Sequence, residues 1–121
     1  VVSRSNTTEL TEALATVWRG GPVITPETAQ RLAPQSDADA YAVQAALGAT
    51  MGWWTEGRPR AWKLGIGPVT AAPIPDHSLM ASPALLHQND CFSLFGIEIE
   101  LAVRLEHPLY SGCRRNDVAT S

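Results

Sequence analysis

Phe95-Gly96-Ile97-Glu98-Ile99-Glu100-Leu101-Ala102-Val103-Arg104-Leu105 is the stretch on which the fold class turns. Every odd position carries an apolar side chain, and the even positions carry Gly, Glu, Glu, Ala and Arg. A helix would scatter those apolar groups around its circumference, whereas successive side chains of a strand point to opposite faces. Residues 95–105 are therefore expected to form a strand. Residues 61–66 repeat the alternation, with Trp62, Leu64 and Ile66 on one face and Lys63 and Gly65 on the other. Between the two, residues 67–83 hold Pro68, Pro73, Pro75 and Pro83 and are expected to be an irregular loop of the kind that often forms a lid or rim.

Upstream the period changes from two to that of a helix. The first helix is expected over residues 7–19, with Asn6 as N-cap and Glu9 reaching back as a capping-box carboxylate. Leu10, Leu14, Val17 and Trp18 form its apolar face, and Gly20-Gly21-Pro22 stops it. Thr25-Pro26 opens a short helix to Leu32, which Pro34 ends. Ser36 with Asp39 opens a third helix over residues 37–51, marked by Val43, Leu47 and Met51 with alanines between them. Residues 52–60, rich in glycine and proline and holding Trp53 and Trp54, read as a turn-rich connection. The fold class is α+β: N-terminal helices followed by strands.

The chain has 121 residues, 9 basic and 12 acidic, for a net charge of −3. That length and a hydrophobic content of 45% fit a single globular domain. Lys63 is the only lysine, so the clustered positive charge of a nucleic-acid binder or a polybasic membrane-surface module is missing. No window approaches about 18 uninterrupted apolar residues, and residues 1–6 lack the apolar core of a secretory signal. A cytoplasmic protein is the expectation, with Cys91 and Cys113 as reduced thiols. Neither a glycine-rich phosphate loop nor a G-x-S-x-G or H-E-x-x-H motif occurs.

Candidate chemistry sits on the two alternating stretches. Glu98 and Glu100 fall on one face of a strand, with Cα atoms roughly 6.5–7 Å apart from the strand rise. Two like charges side by side repel unless a cation neutralises them, and a hard divalent ion is held by carboxylates and waters. A solvated strand face accounts for the same pair. Lys63, mid-strand beside Trp62, suits a cleft that binds a carboxylate or moves a proton, or else an outward-facing position. Asp76-His77 in the proline-rich loop has the composition of a proton-shifting pair and equally that of a solvated turn. His77, His87 and His107 share no metal-ligand spacing.

Three motifs in order, Asp39-Ala40-Tyr41-Ala42-Val43-Gln44, Ala61-Trp62-Lys63-Leu64-Gly65 and Phe95-Gly96-Ile97-Glu98-Ile99-Glu100-Leu101-Ala102, resemble the 2-keto-4-pentenoate hydratase family. That family includes 2-oxo-hept-3-ene-1,7-dioate hydratases and 4-oxalocrotonate decarboxylases, within the fumarylacetoacetase superfamily. The resemblance covers residues from about 7 to 109. It implies a helical region over 1–52, the first strands of a mixed β-roll over 53–109 and a polar tail over 110–121, the whole corresponding to the N-terminal half of such a chain. It implies Glu98 and Glu100 as ligands to Mg²⁺ or Mn²⁺, a third carboxylate from farther along the chain, and Lys63 facing the substrate. Asp76 is expected as an acid–base residue, although Pro75-Asp76-His77-Ser78-Leu79 lacks the glycine of the family's P-x-x-G-x-L segment. The implied activity is hydration of a 2-oxo or 2-hydroxy-dienoic acid from aromatic-compound breakdown, by a homo-oligomer. Two alternatives share the motifs: decarboxylation of a vinylogous 2-oxo diacid, and a non-catalytic association module.

Overall fold

The computed structural model describes residues 4–87, 89 and 96–114. Its first unit, Val1–Ala84, runs α1 (Arg4–Trp18), α2 (Pro26–Leu32), α3 (Asp37–Met51), β1 (Ala61–Ile66) and β2 (Val69–Ile74), then a short 3-10 turn at Asp76–Ser78. The class is α+β: three helices followed by a two-stranded antiparallel sheet.

The helices α2 and α3 have the limits their end signals predict. At α2 the Thr25 hydroxyl accepts from the Thr28 N–H at 3.3 Å, and Pro26 occupies the first turn, where its missing N–H costs nothing. At α3 the Ser36 hydroxyl accepts from the Asp39 N–H at 3.2 Å and donates to the Asp39 carboxylate at 2.7 Å. Gly52, at φ 64°, closes α3 in the left-handed region that only glycine enters without strain. The Gly52 and Trp53 N–H groups then satisfy the last carbonyls, of Ala49 at 3.2 Å and Gly48 at 2.9 Å.

The start of α1 differs from expectation. The helix begins at Arg4, so Asn6 lies inside it and caps nothing. Glu9 is taken instead by Arg31 of α2, in a two-pronged ion pair with N–O distances of 2.6 and 3.1 Å. A guanidinium fork offers a carboxylate two charge-assisted bonds where a cap N–H offers one neutral donor.

Leu32 of α2 is 2% exposed and meets Leu10 of α1 and Val43 of α3, with Ala13 and Leu14 packed alongside. A seven-residue helix does not stand alone in water, so this burial is what holds α2 in place. Thr11 of α1 is polar and buried, and its hydroxyl donates to the Thr7 carbonyl at 2.8 Å.

The expected irregular loop over 67–83 is corrected by β2. Val69–Ile74 pairs along its whole length with β1, from Ile66↔Val69 at a two-residue turn to Ala61↔Ile74. Pro73 is tolerated because, among the described residues, no further strand pairs with its edge of β2. The Ala71 N–H points away from β1 and donates to the Tyr41 hydroxyl of α3 at 3.2 Å. Strand geometry gives position 73 the same outward direction, where a missing N–H breaks no ladder bond.

The second unit is Leu85–Ser121. Residues 96–105 form no strand among the described residues, which corrects the expectation for 95–105; Phe95 itself lies outside them. Alternation fixes which face of a segment is apolar, but a strand also needs a partner ladder, and no described residue supplies one. Ile99 and Leu101 are fully exposed as a result, and Ile97 and Val103 nearly so. Over the expected polar tail, Tyr110 to Cys113 make a turn closed by Cys113 N–H to Tyr110 O at 3.1 Å. Cys113 is a free, exposed thiol; Cys91 and residues 115–121 lie outside the described residues. No helix among the described residues is long and apolar enough to cross a membrane.

Candidate functional site

One face of α3 carries Tyr41, Gln44, Ala45 and Ala49 at helical spacing. Opposite it run Trp54, Arg58 and Pro59 of the connection, and Trp62 of β1 with Pro73 of β2. Together they line a half-open cavity of about 550 Å³, within the range of small-molecule sites. Trp62 and Pro73 are register partners, so both reach it from one face of the hairpin.

A glycine makes the cavity wall. A Cβ on Gly48 would lie 1.9 Å from Cζ2 of Trp54, so that indole sits directly on the α3 backbone. Behind it the rings continue edge to face, Trp54 to Trp53 at 5.9 Å between centroids and Trp53 to Trp18 of α1 at 4.9 Å. The bond from Ala71 to the Tyr41 hydroxyl ties the hairpin to α3 beside the cavity.

The lining is aromatic and apolar with two polar members. Arg58 is its only charged residue, exposed, and engaged in no ion pair or hydrogen bond among the described residues. Gln44 has its carbonyl oxygen buried without a donor.

The residues singled out from the sequence lie elsewhere. Lys63 is exposed at the middle of β1, opposite Ala72, and strand alternation turns it to the sheet face away from Trp62. Asp76 is a clamp: one carboxylate oxygen accepts from both the N–H and the hydroxyl of Thr55, and its own N–H donates to the Trp53 carbonyl at 3.0 Å. Those bonds from Thr55, with a smaller contribution from the Arg60 charge, hold its carboxyl below the usual range. Its other oxygen is buried without a donor. His77 follows it, exposed, in the 3-10 turn.

Glu98 and Glu100 belong to the second unit and are both exposed. As a donor set, two hard carboxylates beside water suit Mg²⁺ or Mn²⁺, ions that keep several waters. Among the described residues no three His, Cys, Asp or Glu side chains are grouped to hold a metal ion, so the third carboxylate of the expectation has no counterpart there.

Comparison with protein-family models, curated proteins and solved structures finds no match to this chain.

The cavity was not among the sequence expectations, although its signals are present. Trp53-Trp54 in a connection otherwise built of Gly, Pro, Thr and charged residues marks rings with somewhere to pack. The small residues Ala45, Gly48 and Ala49 on one stripe of α3 mark what they pack on.

Proposed function

We propose that the chain carries the first strands of a fumarylacetoacetase-type β-roll and the site of a metal-dependent hydratase of the 2-keto-4-pentenoate hydratase type. It would add water to a 2-oxo or 2-hydroxy-dienoic acid in the cytoplasm, as part of a homo-oligomer. The observation that carries the reading is the order and spacing of the three motifs, with Lys63 and the Glu98/Glu100 pair at their chemically distinctive positions. An ion held by Glu98 and Glu100 would supply Lewis-acid polarisation of the substrate's 2-oxo oxygen. The Lys63 ammonium, on the face of the hairpin away from Trp62, would bind the substrate carboxylate or pass a proton during ketonisation. Asp76 would be the acid–base residue, with Thr55 holding it in the ionised form.

Glu98→Gln and Glu100→Gln test this. Each should abolish Mg²⁺-dependent turnover of a 2-hydroxy-dienoate, and unchanged turnover in either contradicts the reading. Assay of a vinylogous 2-oxo diacid beside the dienoate separates hydration from decarboxylation on the same scaffold.

A second reading, a non-catalytic association module, is favoured by the exposure of Ile97, Ile99, Leu101 and Val103. An unpaired alternating segment is a template for another strand. Antiparallel pairing with a second copy about Leu101 would set apolar residues opposite apolar ones throughout, and Glu98 opposite Arg104 twice. Shifting the centre to Ala102 would set Glu98 against Glu106, and to Glu100 would set that glutamate against itself. Under this reading Arg104→Glu dissociates an oligomer that Glu98→Arg with Arg104→Glu restores, as light scattering would show; a monomeric parent chain contradicts it.

A further inference from the structure

We infer that the cavity between α3 and the hairpin is a binding site for a planar aromatic monocarboxylic acid, an aryl acid. Its shape and its charge both point there. The walls supplied by Trp54, Trp62 and Tyr41 are flat π surfaces, which take a flat unsaturated body by offset stacking better than a branched or saturated one. The volume of about 550 Å³ suits a small molecule and is too little for a folded partner element. Arg58, the only charged lining residue, has no partner among the described residues. A guanidinium beside aromatic walls binds a carboxylate through two parallel N–H donors, and more strongly there than in bulk water. One cation matches one carboxylate; a second anionic group on the ligand would lie against indole with no second lining cation to neutralise it. A neutral donor substituent on the ligand would meet the Gln44 carbonyl, which is buried and unsatisfied.

This site does not rest on the hydratase reading. Neither Glu98 nor Glu100 lines it, and Lys63 faces the other side of the hairpin.

trans-Cinnamate is a suitable probe, with cinnamyl alcohol as its uncharged counterpart, titrated by NMR into the full chain in the presence of EDTA. The indole N–H signals of Trp54 and Trp62 should move on saturable binding. Cinnamyl alcohol should bind roughly tenfold more weakly or worse, the loss expected when a charge-assisted pair is absent. Arg58→Gln should weaken cinnamate to the level of the alcohol, and Arg58→Lys should keep most of the preference for the acid. Because Arg58 is exposed and makes no hydrogen bond or ion pair among the described residues, a well-dispersed spectrum of the Gln variant keeps the comparison valid. Equal binding of acid and alcohol, or unchanged cinnamate binding in Arg58→Gln, overturns the inference. So does binding that requires Mg²⁺ or is lost in Glu98→Gln, which would place the acid at the metal site instead. Failure of the hydratase assay, with cinnamate still bound in EDTA, removes the proposed activity and leaves this site standing.

Discussion

Gly48 and Asp76 show how single positions set the geometry around the cavity. A methyl at Gly48 meets carbons of the Trp54 indole at 1.9, 2.5 and 2.9 Å, distances that real atoms do not tolerate. Gly48→Ala must therefore push Trp54 into the cavity or off α3. The expected cost is about 1–3 kcal/mol, as for other overpacked sites, with a changed indole signal for Trp54 and weaker cinnamate binding. A thermal melt and the same NMR titration check it. Asp76 predicts a pH dependence. Its folded carboxyl lies below the ordinary 3.8, held there first by the Thr55 hydroxyl and N–H, so the folded state favours the charged form. The stabilisation is full above the unfolded value and is lost as pH falls through the lower folded one. Asp76→Asn should therefore flatten the acid side of the stability profile relative to the parent. Parallel profiles for the two chains would show that the Thr55 bonds carry no linkage.

At the scale of elements, the helices were legible because their signals are local. Ser36 with Asp39 and Gly52 state the limits of α3 within four residues of each end, and Thr25-Pro26 states the start of α2. Leu32→Ala should cost about 2–5 kcal/mol, since the side chain fills the contact of three helices and leaves a cavity, and should release α2 first. Hydrogen exchange of α2 amides checks that order. Strands were less legible because pairing is not local. Prolines at 68, 73 and 75 argue against a ladder until the Tyr41 hydroxyl shows which edge of β2 faces outward. The alternation at 97–105 is the reverse case, a strand pattern with no described partner. Tyr41→Phe leaves the Ala71 N–H without its acceptor and should lower stability by about 1 kcal/mol, while loosening the hairpin against α3.

For the whole molecule, the α+β order of helices followed by a strand follows from sequence period, and neither the pairing of β2 nor the cavity does. Its walls come from α3, the connection and the hairpin, elements whose approach depends on Gly48, Trp54 and Tyr41 acting together. The proposed chemistry has the opposite character: Lys63, Glu98 and Glu100 are conspicuous in the sequence, and their roles rest on motif order. The measurement that bears most directly on that claim is a thermal melt of the chain with and without millimolar Mg²⁺ and oxalate, a mimic of a 2-oxo acid. A ligand pair that binds only the folded state stabilises it by about 2.7 kcal/mol at a hundredfold excess over its dissociation constant. The account predicts a cooperative melt that rises when both are present and loses the rise in Glu98→Gln and Glu100→Gln. A melt that ignores Mg²⁺ and oxalate together, or an equal rise in both variants, would contradict it.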